Sequence, residues 1–561
     1  MATIARTKRI LAKSIKLAGL VTKVSESKAL MKSKEHQEFL KLKSKTEKLA
    51  VLLCQLSSSF SQMYKCPAYL IIDNTEQVLG KVLFRLLKCR AKCTIKHVFN
   101  TIPAALSMAL KRGAKGTMKP RVSTTVCGTQ LHRMSVMLEN VIGNVRWLLQ
   151  ILEDTESDAC EYVGLPPIAA DHPILCLIWE QIAILYSGTL EERSDSAASL
   201  LSLAQDGGDR FGKSIIKEGG VAPLLKLLEE GSKEGQEKAA RAIGILGNEP
   251  ESVQHIIHAG VCPVFAKILR QGPMKVRAVV AWAVSELVEN YTKCQDLFAQ
   301  HNVVYLLASH LSKTTEHEMK GMSARALWKL AKGNSPICRS ILETKPLLYF
   351  AEFLEKGPDD LQSYSAMTLM EITAVVDKDA DLRRSASNLY STYWKSVADQ
   401  LLKIIEKADS GSHLLIPCIN AIGNLARTFR EPVTMMIGPL VRLLLDQRGL
   451  EITMEACIAL TKFASTDNHF HLKYCKEIIS FGVAKYLIEF VYFGERIVQV
   501  PALVLMCYIA LHVPESEELS QAEVVSRLEW ETDQSYMTQD KTQRTLIQNP
   551  KTRLELYQSR S

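Results

Sequence analysis

Apolar residues recur at intervals of three and four along most of the chain, the spacing of helices that each bury one face. From Glu218 to Val288 one arrangement is written twice, about forty residues apart. Glu218-Gly-Gly-Val-Ala-Pro-Leu-Leu leads to Ala240-Arg-Ala-Ile-Gly-Ile-Leu, and His258-Ala-Gly-Val-Cys-Pro-Val-Phe leads to Ala281-Trp-Ala-Val-Ser-Glu-Leu. Each copy predicts a short helix closed by glycine, a second helix opened by Pro223 or Pro263, and a third helix rich in alanine.

The third helices align on the pattern small-x-x-apolar-x-x-apolar. Equivalent positions are Ala198, Ala240, Ala281, Ala324, Ala366, Ile419, Cys457 and Leu503, at intervals of 42, 41, 43, 42, 53, 38 and 46. An all-helical period of this length is the signature of armadillo or HEAT repeats, whose units bury their apolar faces only against one another. The fold class expected is all-α: an N-terminal helical bundle followed by a right-handed armadillo-type solenoid. The one long interval predicts an insertion near 377–392, read as a loop leaving the solenoid.

Ahead of the repeats the pattern is different. Met1–Val24, Phe39–Met63, a segment from Pro67, and Leu131–Leu152 read as four long helices, with an irregular loop at Lys111–Thr129. The expected organisation is a bundle over 1–155 and a linker over 156–172, stiffened by Leu165-Pro-Pro-Ile. About eight repeats follow over 173–530, then a cap or tail over 531–561.

Composition is that of a soluble protein, 47% hydrophobic and 23% charged. The longest apolar run, Val500–Leu511, is short of the roughly 18 residues of a membrane-spanning helix. Fourteen cysteines scattered without paired spacing, and without a cleavable apolar leader, predict free thiols in a reducing, intracellular compartment. Charge changes the picture more. Residues 1–150 hold 27 Lys+Arg against 7 Asp+Glu and the remainder 42 against 53, so a basic head precedes an acidic body. The first helix carries Arg6, Lys8, Arg9, Lys13, Lys16 and Lys23 and no acid. Three readings stay open: contact with an anionic membrane or acidic partner, an organelle presequence, or packing of its apolar stripe into the head.

No catalytic set is legible. Gly207-Gly-Asp-Arg-Phe-Gly-Lys213-Ser214 fits the phosphate-loop pattern, yet the preceding segment reads as helix where a strand is required, so a turn between repeats is expected. Cys89 with Cys93, and His469 with His471 and Cys475, lack the ligand number of a zinc site. Arg383-Arg384-Ser385 is a weak phosphorylation motif. No catalytic, cofactor-binding or metal-ligating residue is therefore expected.

The candidate surface is the inner wall formed by the third helices. Its outward positions are predicted to be Arg241 and Ile245, Trp282 and Glu286, Arg325 and Lys329, Met367 and Glu371, then Asn420 and Asn424. Nuclear-import adaptors repeat a Trp and an Asn on this wall. Here Trp282 lacks the Asn and Asn424 lacks the Trp, so a mixed-charge protein surface is expected instead of a basic import peptide.

Longer strings carry a resemblance. Ile10-Leu-Ala-Lys-Ser-Ile-Lys-Leu-Ala, Leu42-Lys-Ser-Lys-Thr-Glu-Lys-Leu-Ala, Ile72-Asp-Asn-Thr-Glu-Gln-Val-Leu, Leu165-Pro-Pro-Ile-Ala-Ala and Pro173-Ile-Leu-Cys-Leu-Ile-Trp-Glu-Gln-Ile-Ala resemble the plant armadillo-repeat-only proteins. So do Gly272-Pro-Met-Lys-Val-Arg-Ala-Val-Val-Ala-Trp-Ala-Val-Ser-Glu-Leu, Cys294-Gln-Asp-Leu-Phe-Ala-Gln-His-Asn and Leu554-Glu-Leu-Tyr-Gln-Ser-Arg. The pattern departs at Lys111–Thr129 and Asn388–Lys395. The resemblance implies a non-enzymatic scaffold in polarised tip growth, working with GTPase-activating proteins of Rho-type GTPases. It places the protein in the cytoplasm and at the periphery of the plasma membrane. It also weakens the presequence reading, since the basic first helix belongs to the shared pattern. The rivals are an armadillo-type ubiquitin-ligase component, against which the long-helix head argues, and a nucleic-acid adaptor, against which its few interleaved aromatics argue.

Overall fold

The computed structural model describes residues 2–26, 36–58, 65–90, 128–153, 166–170, 172–313, 316–344, 347–388, 391–429, 431–446, 448–521 and 548–555. Every regular element among them is helical. Residues 111–127 of the expected loop Lys111–Thr129, the acidic stretch 154–158, Cys93 and the side chain of Cys89 lie outside the described residues, while Gly128 and Thr129 open a helix. The chain divides into two compact units, Met1–Leu246 and Gly247–Ser561.

The first unit begins with α1 (Ala2–Ser25), α2 (His36–Ser58), α3 (Lys65–Arg90) and α4 (Gly128–Glu153). In this bundle α1 packs on α2 and α3, and α4 packs on both of those. The predicted seam of α2 is the buried one: Phe39, Leu42, Leu49, Leu53 and Leu56 face Leu79, Val82, Leu138 and Val145 in one core. In α1 the buried face is Thr7, Leu11, Ser14, Ala18 and Val21. Its hydroxyls are satisfied within the helix, Ser14 Oγ donating to Ile10 O at 3.0 Å and Ser25 Oγ to Val21 O at 2.8 Å. Of the three readings of the first helix, packing into the head is the one observed.

The same apolar cluster runs on through Ile168 and Ala169 to Cys176 and Trp179. Pro167–Ala170 is a 3-10 turn laid on α4. A Cβ on Gly143 would stand 2.7 Å from Pro167 Cγ, so only glycine admits the turn there. Ile168 N–H donates to Asn144 Oδ1 at 2.9 Å and fixes the register. Five repeat helices complete the unit, from Pro173–Ser187 to Lys233–Leu246. The second of them starts on a capping box in which Thr189 and Glu192 exchange hydrogen bonds.

The second unit is built of helices in the predicted short-short-long order. Pro250–His258, Val261–Gln271 and Met274–Asn290 make one set; Gln295–Gln300, Val303–Lys313 and His317–Ala331 make the next. Between first and second helices the backbone turns through the left-handed region at Gly260 (φ +92°) and Gly482 (φ +73°). At the corresponding corner of the second set stands Asn302 (φ +61°), asparagine being the side chain that best tolerates this conformation. Pro263 occupies the third residue of its helix and not the first, inside the turn where a missing N–H costs nothing. Pro223 does the same in the first unit. All eight aligned positions fall in the third helices, and all but the half-buried Ala198 are buried.

The long interval is not a loop. Ala380–Asn388 is a helix, started by the Asp379 carboxylate accepting from the N–H groups of Asp381 (2.9 Å) and Leu382 (3.2 Å). These bonds hold the Asp379 carboxyl below its ordinary range. The charged residues that looked like loop are its exposed face, while Ala386 is buried; the next helix, Ser391–Lys407, buries Trp394, Val397 and Leu401. Nor is Gly207–Ser214 merely a turn. It leaves the corner at Gly208 (φ +53°) and continues as the helix Gly208–Lys217, with the Phe211 ring over Gly207.

No single helix among the described residues is long and apolar enough to cross a membrane. Nine described cysteines are free, eight of them buried. Burial pushes the thiols of Cys294, Cys338, Cys457 and Cys475 up to about 12, so none is a ready nucleophile.

Two measurements probe this packing. A Cβ on Gly423 would lie 2.8 Å from both Cα and Cβ of Ala459 in the neighbouring third helix, whereas one on Gly321 meets nothing within 4 Å. In chemical unfolding, Gly423→Ala should destabilise by roughly 1–3 kcal/mol, and Gly321→Ala should be neutral or stabilise by about 0.5–1 kcal/mol. The second concerns His512, 7% exposed, with Nε2 unpartnered among the described residues and its ring 4.2 Å from that of His471. Burial, then His471 and Arg553, brings its pKa down from 6.5 to about 4. The unfolded chain then binds the extra proton between those values, so stability is full above pH 6.5 and falls as pH drops towards 4. His512→Gln should flatten that part of the stability profile.

Candidate protein-binding wall

An α-helix advances 100° per residue, so the first and fifth positions after a buried small residue share one outward stripe. In the second unit six third helices pack in succession: Met274–Asn290, His317–Ala331, Asp359–Lys378, Leu415–Asn424, Leu450–Ala464 and Arg496–His512. Along the stripe Trp282, Glu286, Arg325, Lys329, Met367, Glu371 and Asn420 are half-buried. Arg241 belongs to the first unit, where it is exposed and pairs with Glu237 one turn earlier at 3.4 Å; Ile245 is half-buried beside it.

The polar members of the stripe bind one another across repeats. Arg325 donates to Glu286 Oε1 at 2.6 Å. Lys329 pairs with Glu289 while its ammonium stands 3.9 Å from the Trp328 ring centre. Burial alone would raise the Glu289 carboxyl, but the Lys329 hydrogen bond and charge outweigh it and hold it low. Trp328 stacks on Tyr364 at 6.1 Å, and Glu371 accepts from Gly333 N–H at 3.2 Å. The wall is therefore laced as well as lined.

Asn424 departs from expectation. It is buried, 5% exposed, its amide donating to Thr373 Oγ1 (3.1 Å) and Met370 O (3.4 Å) while its oxygen accepts from Lys462. With both ends of the amide engaged it ties repeats together and offers nothing to a partner backbone. Asn420 stays on the stripe, touching Met370 Sδ and hydrogen-bonding Glu455, whose carboxyl burial pushes up.

Sequence reasoning missed the strongest polar centre of the wall. Asp377, 9% exposed, accepts from Arg427 Nε (3.0 Å) and Nη2 (2.6 Å) and from Lys462 Nζ (3.2 Å). Lys462 stands five residues after Cys457, the register of Asn424 one repeat earlier, so extending the alignment would have found it. Arg427 lies past the end of its helix and Asp377 at the end of its own, where no period points.

The remaining candidates resolve plainly. Cys475 is buried and donates to Ala464 O, His471 bonds Asn468 O at 2.7 Å, and His469 is exposed. No cluster of three metal-ligating side chains occurs among the described residues. Ser385 is exposed on its helix. On α1, Lys8, Arg9, Lys16 and Lys23 are exposed and Lys13 pairs with Glu76 at 2.5 Å; the Arg6 side chain lies outside the described residues.

Three helices per unit, stacked third helix on third helix at a period near 42, decide the type of repeat. It is an armadillo repeat. The chain is 23% identical over 257 residues to importin subunit alpha-1b of Oryza sativa subsp. japonica, covering 44% of this chain and 45% of that one. It therefore spans under half the length of that relative. An engineered protein of known structure is similar at a TM-score of 0.58 and 19% identity, over 74% of this chain and 95% of that one. A designed armadillo repeat protein matches at a TM-score of 0.39 and 18% identity, over 44% and 98%. A family model described as a domain of unknown function (DUF7792) matches residues 8–107, within the basic head.

Exchanging the partners of one rung separates armadillo stacking from surface chemistry. Arg325→Glu alone places two carboxylates together and should destabilise by about 1 kcal/mol, the pair being partly exposed; adding Glu286→Arg should restore the loss in urea unfolding.

Proposed function

We propose that this armadillo-repeat scaffold is non-enzymatic, that its third-helix wall holds a polypeptide, and that its basic head attaches to an anionic surface. The observation that carries the reading is the continuous stripe of half-buried Trp, Glu, Arg, Lys, Met and Asn side chains on four successive third helices. Such a stripe supplies an aromatic anchor at Trp282 and charged groups of both signs, the composition of a mixed-charge recognition surface. The similarity to an importin alpha subunit agrees with a binding role. The resemblance to plant armadillo-repeat-only proteins adds a finer expectation: a GTPase-activating protein for Rho-type GTPases as the polypeptide, and the cell periphery as the place.

For the head, support comes from the first helix. Most of its described apolar stripe is consumed in the bundle core, Leu20 apart, so what it chiefly offers is Lys8, Arg9, Lys16 and Lys23. Attachment is then electrostatic, not insertional.

Both halves are testable on the full chain. In co-sedimentation, phosphatidylserine vesicles should retain the protein at about 0.05 M salt and release it near 0.5 M, and neutral vesicles should not retain it. Equal retention on both would remove the membrane half. The exchanged protein Glu286→Arg, Arg325→Glu keeps its stacking but inverts the local charge. It should lose a polypeptide that the wild-type chain captures; full retention would remove the wall.

A further inference from the structure

At the C-terminal ends of the third helices lies an open cavity of about 90 Å³, lined by Arg383, Arg427, Phe429, Asp467, His469 and Phe470. One water needs roughly 10–15 Å³ on this measure, so the space admits a carboxylate or a phosphoryl group. The walls are fixed. Asn468, 1% exposed, donates to Ala426 O at 2.9 Å and accepts from Phe470 N–H at 3.0 Å, holding the 465–470 turn against the end of the preceding third helix.

The guanidinium of Arg427 is oriented from behind. Its Nε and Nη2 donate to the buried Asp377, the latter also to Asp377 O at 2.9 Å. Among the described residues its Nη1 has only Asp467 at 3.8 Å, beyond hydrogen-bond length. Arg383 gives its Nη1 to the same Asp377 carbonyl, and the Asp379 carboxylate acts on it through charge without a hydrogen bond among the described residues. Lys462 also faces Asp377. Asp377 is thus shared by three cations, the carboxylate nearest the cavity mouth is the exposed Asp467, and two guanidinium edges remain beside two phenyl rings. A cation fixed by a buried carboxylate, with free N–H groups at a concave surface, is preorganised for an oxyanion.

We propose that this niche binds the oxyanion of an acidic side chain, Glu, Asp or a phosphorylated Ser, presented by a polypeptide lying along the wall. The inference rests on the wall reading for its polypeptide, but the niche is tested with small molecules and so fails or stands separately. The probes are O-phospho-L-serine, N-acetyl-L-glutamate and, as neutral control, N-acetyl-L-glutamine, titrated into the full chain by calorimetry.

Saturable binding of an acidic probe but not the amide is expected. Arg383→Gln, which gives up only a bond to a carbonyl, should weaken it about tenfold or more. Asp467→Asn removes the competing carboxylate and should tighten it several-fold, an effect that loss of fold cannot imitate. Phosphoserine bound well above glutamate assigns a phosphorylated residue; equal binding assigns a carboxylate. No heat from either acidic probe, or binding indifferent to both substitutions, overturns the site.

Discussion

Close approach of successive third helices is the constraint on which the rest depends. Helices that stack face to face need small residues at the contact, because each extra methylene must displace the neighbour's backbone. Ala240, Ala281, Ala324, Ala366 and Cys457 are fully buried, and Gly423 stands so close to Ala459 that a single methyl would collide. Since a third helix inside the second unit commits most of its circumference to neighbours before, behind and beneath, only a narrow stripe faces outward. A solenoid therefore concentrates its recognition chemistry on a few positions per repeat.

The same closeness sets the behaviour of the charges. A half-buried Glu or Arg loses much of its hydration and must find a partner, and on this wall the partner within reach is the next repeat. Glu286 with Arg325, Glu289 with Lys329, and Asp377 with Arg427 and Lys462 meet that demand. The wall pays for its polarity in this way, and any bound polypeptide competes with rungs already made. Competition of that kind favours specificity over raw affinity, because only a partner able to replace a lost rung gains by displacing it.

How much was legible follows from the length scale of each signal. The helical period repeats across hundreds of residues, and the eight aligned positions located every third helix. Single positions were harder. Asn302 fills a corner that a glycine rule alone would not place. Ala380–Asn388 looked like a loop because its exposed face is charged and one buried alanine carries too little pattern. Asn424 has the right register yet lies buried, since Lys462, one repeat on, reaches back to it; a contact between side chains 38 residues apart has no local signature. Asp377 was invisible for the same reason.

On the proposed reading, the arithmetic of the basic head says how its contact would work. Each cation near an anionic surface contributes about 1 kcal/mol, so the four exposed ones on α1 together give roughly 4 kcal/mol, near a millimolar dissociation constant. Among the described residues of that helix Leu20 is the one large apolar side chain left exposed, too little to add much insertion energy. Attachment through α1 is thus weak, reversible and screened by salt when it acts alone. It becomes durable only with a second contact on the same molecule, where effective concentration multiplies two modest affinities. A polypeptide held on the third-helix wall and itself tied to the surface supplies that contact. A scaffold built so holds lipid charge by itself only at low salt, and at higher salt responds to the coincidence of lipid charge and partner.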